Sequence, residues 1–239
     1  MNEFVSLLKT IEPYALGAAF AAMYLAEHII PQRSGMTDYK HDLQNILVGF
    51  LNLALAAGGG YLLQQWLQYA ITNDWGLMQL LPEIFWLKTL LGIIIIDLFM
   101  YWWHRLNHEI KFLWRWHSFH HKDTMLNSTS AVRFHAAELI LSYAVRFAVF
   151  PLLGFNIASV ILHAMVLFPV IVFHHSNIRI SEKYDTALRH VFVSPRMHRI
   201  HHSKIPTETN SNYGSIFPYW DRLFRSYVSK PAKEIEFGL

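Results

Sequence analysis

The chain of 239 residues contains no cysteine. That absence excludes disulfides, cysteine-ligated zinc, iron–sulfur clusters and thiolate-bound haem, so any bound metal must rest on histidine and carboxylate. Charge is scarce as well. Charged residues make up 15% of the chain and hydrophobic ones 53%, whereas a soluble globular domain carries about 25% charged residues. So sparsely charged a surface suits lipid better than water, and apolar runs of spanning length agree. There is no internal repeat, no glycine-rich nucleotide loop and no low-complexity tract. The formal charge of +3 is modest, and its meaning depends on where the basic residues lie.

What is present is a series of apolar runs. The first, Pro13 to Ile30, is ended by Pro31. It lacks a basic leading segment and a small-residue cleavage site, so it is expected to stay in the mature protein. A second covers about Leu43 to Leu63, and its "AAGGG" suits close helix packing in lipid. A third runs from Pro82 to Trp103. The fourth region, about Leu139 to Phe173, is too long for one span and is divided near Pro151 and Gly154. The basic residues orient these runs. Seventeen of the twenty Lys and Arg lie between runs one and two, between runs three and four, or after Phe173. Gln68 to Leu81 and the surroundings of Gly154 carry none. That face is expected in the cytoplasm, with the N-terminus outside. Its charges sit beside spans, so they read as orientation and headgroup contacts, and no nucleic-acid partner is expected. The predicted fold is all-α: an integral membrane bundle of about four to five spans with a cytoplasmic helical cap.

The histidines concentrate on that cap. All fifteen except His28 and His41 fall between His104 and His202. His104 and His108 are spaced i, i+4. His117, His120 and His121 are spaced i, i+3, i+4, and His198, His201 and His202 repeat that pattern. On a helix such spacings put imidazoles on one face, a turn apart, where two can chelate one metal. A solvated histidine face gains nothing from clustering, since protonated rings repel. Eight clustered imidazoles exceed the three or four ligands of a single zinc site, so two metals are expected. There is no HExxH, and His135-Ala-Ala-Glu138 lacks the histidine that would complete an inverted zinc motif. Neutral imidazole suits iron, copper, zinc and nickel alike, and spacing does not choose among them.

The stretches "DLFMYWWHRLNH", "WRWHSFHH" and "SPRMHRIHHS", in this order, resemble the fatty acid hydroxylase / sterol desaturase superfamily. "SNYG" at Ser211 to Gly214 and "YWDRLF" at Tyr219 to Phe224 resemble its C-terminal close. The resemblance runs from about Leu90 to Tyr227. It implies a membrane-bound di-iron enzyme that uses O2 and two electrons to attack an unactivated C–H bond of a lipid, such as a fatty acyl chain, sterol or alkylglycerol. Residues 1–81 would be N-terminal spans, and residues 82–239 the catalytic domain. The implied iron ligands are His104, His108, His117, His120, His121, His198, His201 and His202, with His175 and His135 at further family positions. His174 and His190 are weaker matches, and His28, His41 and His163 read as structural. One departure stands out: the family often has Gly-Thr after "DRLF", where this chain has Arg225-Ser226-Tyr227.

Several residues are candidates for support. Asp97 lies seven residues before His104, on nearly the same helical face. It would either orient a ligating ring or pair with another helix, Arg146 being one partner. Glu138 and Asp221 are similar candidates, and Asn107 and Asn177 could bond ligands or serve the surface. Tyr101, Trp102 and Trp103 form an interfacial belt or a tunnel wall. No haem-binding or flavin module is visible, so an external electron donor of cytochrome b5 or ferredoxin/reductase type is expected. Hydroxylation is favoured over desaturation, and a bacterial inner membrane over the endoplasmic reticulum. The rival readings are a histidine-rich metal transporter and a zinc-dependent lipid hydrolase. The first needs a polar path through the spans, and the second a general base such as Glu138 or Asp123.

Overall fold

The computed structural model describes residues 2–36, 38–230 and 235–239. Five long helices are α1 (Asn2–Ile29), α2 (Tyr39–Thr72), α3 (Phe85–Glu109), α5 (Ala136–Leu153) and α6 (Ile157–His175). Shorter ones are α4 (Lys111–His121), α7 (Glu182–Leu188), α8 (Pro195–His201), α9 (Pro206–Thr209) and α10 (Tyr219–Leu223). The described residues form no strand beyond two isolated bridges, Pro31 with Ile178 and Ser203 with Phe237. The fold is all-α, as its sequence predicts.

Among the described residues four helices are long and apolar enough to cross a membrane: α2 with the short turn that follows it, α3, α5 and α6. Helix α1, expected as the first span, is not among them. It carries Glu3, Lys9, Glu12 and Glu27, and it lies along α6 with Leu8 against Ala158 and Ile161. The fourth apolar region does divide as expected. Helix α5 ends at Gly154, in a left-handed conformation (φ +76), which faces Gly76 (φ +103). A Cβ on Gly76 would come within 2.3 Å of the Gly154 Cα, so the two backbones can meet only as glycines. In "AAGGG" the close approach falls on Gly59 alone, whose missing Cβ makes room for the Tyr143 ring at 2.9 Å.

The long helices alternate in direction, which sorts their ends. One end holds the Gly76–Gly154 contact and an apolar core of Leu63, Leu67, Met78, Ile96, Phe150 and Phe155. The other holds every histidine motif. There the segment after α4 has little apolar surface, and a buried polar network fixes it instead. Asn127 caps the turn 128–132 and donates to Asp42 at 2.8 Å. Asp123 accepts from His41 (2.7 Å), Asn45 (3.2 Å) and Ser130 (2.7 Å). Glu27 of α1 accepts from the backbone N–H groups of Ser128 (3.0 Å) and Asn177 (2.8 Å). The network is buried and its carboxylates are hydrogen-bonded, as burial demands. It ties α1 and α2 to the chain on either side of the histidines.

Candidate metal centre

Each histidine motif sits on a helix, as its spacing predicts. Helix α3 presents His104 and His108, α4 presents His117, His120 and His121, and α6 ends with His175. Helix α8, capped by Ser194 and opened by Pro195, presents His198 and His201, with His202 just past its end. The rings gather in two groups: His104, His108, His117, His121 and His201 in one, and His120, His175, His198 and His202 in the other. Within each group the candidate ligand atoms all lie within 4.8 Å of one another. The i+3 histidine of each HxxHH motif, His120 or His201, joins the other group from both of its motif partners, so both motifs span both groups.

Two features show that these residues fit metal ions. The first is spacing. The Nε2 atoms of His120 and His175 are 3.1 Å apart, those of His175 and His198 3.0 Å, and those of His198 and His202 3.1 Å. In the other group His117 and His121 approach to 3.2 Å, again Nε2 to Nε2. Imidazole nitrogens bound to one ion at about 2.1 Å would lie roughly 3.0–3.4 Å apart. The second is how the outer nitrogens are held. Nδ1 of His104 donates to the Tyr213 carbonyl (2.8 Å), that of His117 to Glu138 (2.9 Å), and that of His201 to the Ser211 carbonyl (2.6 Å). Those of His120 and His175 donate to the carbonyls of Arg133 (3.2 Å) and Ile171 (2.8 Å). Each bond fixes the tautomer that leaves Nε2 bare, the usual arrangement for a ligating imidazole. Nε2 of His108 and of His201 is buried with no hydrogen-bond partner among the described residues, which is costly unless a ligand supplies one.

Electrostatics agree. Burial, reinforced by neighbouring imidazoles, holds His120, His121, His198 and His202 well below the ordinary histidine range. Burial brings His201 down to about 3. The rings are neutral at physiological pH, with lone pairs available for a cation.

Not every candidate joins the groups. His135 lies outside both: its Nδ1 accepts from the Ala137 N–H to cap α5, and its ring lies against Trp116. An N-cap needs an acceptor pointing back along the helix, and that holds the ring away from the centre. His174 is buried with its ring 3.9 Å from that of His198, yet it belongs to neither group. Asp97 touches no candidate ligand. It accepts from the backbone N–H groups of Ile216 (3.2 Å) and Phe217 (3.3 Å) and from the Trp220 indole (2.7 Å), so it anchors the C-terminal segment. Among the described residues the imidazole within reach of it is that of His163, at 3.8 Å. Seven residues are about two helical turns, so Asp97 shares a face with His104 but sits roughly 10 Å along the helix from it. Asn107 bonds its own helix, at Trp103, and Asn177 bonds the Arg33 backbone.

The residues that sequence reasoning missed act mostly through backbone. Tyr213 and Ser211 offer carbonyls to His104 and His201, and Asn210 places its side-chain oxygen 3.3 Å from His108. Asp221 holds this segment by accepting from the N–H groups of Tyr213 (2.7 Å) and Gly214 (2.8 Å). The "SNYG" stretch was the visible signal, but nothing in its residue types announces carbonyl acceptors.

Comparison with known proteins agrees with this arrangement. The fatty acid hydroxylase profile matches residues 89–226, which include all nine grouped histidines. The chain belongs to the fatty acid hydroxylase family. It is 31% identical over 144 residues to an ornithine lipid hydroxylase of Rhizobium tropici, covering 60% of this chain and 43% of that protein. It is 28% identical over 172 residues to an alkylglycerol monooxygenase of Xenopus tropicalis, covering 71% and 36%. With methylsterol monooxygenase 1 of Danio rerio it shares 28% over 165 residues, covering 65% and 52%. The chain thus spans between a third and about a half of the length of these relatives. No solved structure matches. At the departure from the family pattern, Arg225 adopts φ +60, a conformation that suits glycine, and nothing in the structure explains the arginine. Ser226 keeps a hydroxyl there, which donates to Asp221 at 2.7 Å and lies 2.8 Å from the Tyr101 hydroxyl.

Proposed function

We propose that the protein is a membrane-bound di-iron oxygenase that hydroxylates a C–H bond of a lipid, using O2 and two electrons from an external carrier. One observation carries the reading: nine imidazoles stand in two groups of ligand spacing within the segment that matches a hydroxylase family. His104, His108, His117, His121 and His201 would hold one iron, and His120, His175, His198 and His202 the other. Iron bound there supplies the activation of O2 that an unactivated C–H bond requires.

The chain's own residues do the rest. Glu138 and the carbonyls of Tyr213, Ser211, Arg133 and Ile171 keep the rings in one tautomer and orientation. Eight of the nine rings are buried, and His104 is half-buried. An apolar groove of about 390 Å3 opens where α3, α4 and α5 meet, lined by Trp102, Trp103, Leu106, Leu113, Leu141 and Val145 among others. Leu113 and Leu141 lie one helical turn from His117 and Glu138, so a hydrocarbon chain in this groove would lie beside the first group. The basic residues flanking the spans favour a cytoplasmic centre, within reach of a soluble donor. A bacterial inner membrane is the favoured setting.

The hydrolase rival is weaker, because its candidate bases are engaged. Asp123 is bound by His41, Asn45 and Ser130, and Glu138 accepts from His117. A test is growth of expressing cells under 18O2 followed by lipid mass spectrometry. The reading expects one 18O atom in a lipid product that a His198→Ala/His202→Ala variant does not make. Products labelled from water, or no product at all, would count against it.

A further inference from the structure

A second cavity, of about 140 Å3, lies behind α8. Four cationic side chains line it, Arg33, Arg196, Arg199 and Lys230, against two carboxylates, Glu182 and Asp185. Both carboxylates are already engaged. Glu182 pairs with Arg189 at 2.5 Å and with Arg196. Asp185 accepts from the Ser194 hydroxyl at 3.0 Å and lies 3.7 Å from Arg189. Lys230 pairs with Glu208 outside the lining. Arg33 and Arg199 remain. Among the described residues neither has a carboxylate within 4.0 Å. Arg33 donates to the Ile235 carbonyl (2.7 Å), and Arg199 to the carbonyls of Ser176 (2.9 Å) and Ile178 (3.1 Å). A guanidinium is not deprotonated in proteins, so each brings a fixed positive charge to the cavity.

Two guanidiniums lining one cavity, with no carboxylate in contact among the described residues, make a favourable place for an anion. Guanidinium forks match tetrahedral oxyanions. The space suffices, since a cavity needs only about 15 Å3 to admit one water. Depth selects the source. Ser176 and Ile178 immediately follow α6, a spanning helix, and Arg33 lies a few residues past the end of α1. The cavity therefore sits at the level where a bilayer presents its headgroups, where basic pockets recognise anionic lipids.

We propose that this pocket binds a phosphate group, that of an anionic phospholipid, between Arg33 and Arg199. The bound group would fasten the chain after α1 to α8, which carries His198 and His201. The site is separate from the apolar groove, and the proposal does not depend on metal or catalysis.

The test follows the thermal unfolding midpoint of the full chain in neutral detergent. One arm titrates inorganic phosphate at fixed ionic strength. The other compares phosphatidylglycerol with phosphatidylcholine in mixed micelles. The expected result is a higher midpoint with phosphatidylglycerol, and an apparent affinity reduced about tenfold or more in Arg33→Gln. Arg33→Lys, which keeps the charge and loses the fork, should fall between the two and carries the test if Arg33→Gln does not fold. A response to inorganic phosphate alone, lost in Arg33→Gln, supports the phosphate site and assigns it to the free anion. Absence of any response, or one equal in the wild type and both variants, overturns the proposal.

Discussion

Glu138 shows how much a single side chain contributes to the centre. It accepts from His117 at 2.9 Å from within α5, so it both aims that ring and joins α4 to α5. Glu138→Ala should lower metal affinity by about 10- to 100-fold. Chelator titration of the loaded protein measures this, and Glu138→Gln, which retains an acceptor oxygen, should lose less. Equal retention in all three proteins would mean that the contact is incidental. Arg225 makes the opposite case, an exposed side chain in a conformation suited to glycine. Arg225→Gly should stabilise the protein by about 1 kcal/mol, read from denaturant midpoints. A destabilised variant would show that the arginine side chain contributes something beyond its backbone strain.

At the scale of elements, the histidine-bearing helices are held by polar contacts more than by apolar packing. Asn127 caps the turn after α4 and reaches Asp42 at the start of α2. Asn127→Ala should therefore cost about 1–2 kcal/mol, with faster amide exchange across 123–133. An unchanged exchange pattern would contradict a clasp at this point. Much of this level was legible in the sequence. Helical spacing placed seven histidines on their helices and His202 one residue beyond, and Pro151 and Gly154 marked the break between α5 and α6. Other features were not legible, for identifiable reasons. The first run, Pro13 to Ile30, carries Glu27 and His28, and α1 is not among the four helices that are long and apolar enough to span. Periodicity reports the face of a helix but not depth along it, so Asp97 looked closer to the rings than it is. The carbonyls of Tyr213 and Ser211 carry no signature in residue type.

For the molecule as a whole, the burial of these imidazoles makes stability depend on pH. The folded state keeps His201 neutral down to about 3 and holds His120, His121, His198 and His202 well below the usual range. Unfolded imidazoles protonate near pH 6.5. Below that pH the unfolded chain binds more protons than the folded one, so stability falls as pH drops. The metal-free protein should lose up to about 1.4 kcal/mol per pH unit for each such ring. An unfolding midpoint flat between pH 7 and pH 5 would contradict neutral buried rings. The central claim is that the two groups bind two irons independently, and elemental analysis of anaerobically purified, iron-replete protein tests it most directly. The account predicts two irons per chain in the wild type. It predicts about one each in His108→Ala/His201→Ala and in His198→Ala/His202→Ala, which empty opposite groups. A wild-type content of one or none, or zinc in place of iron, would contradict it.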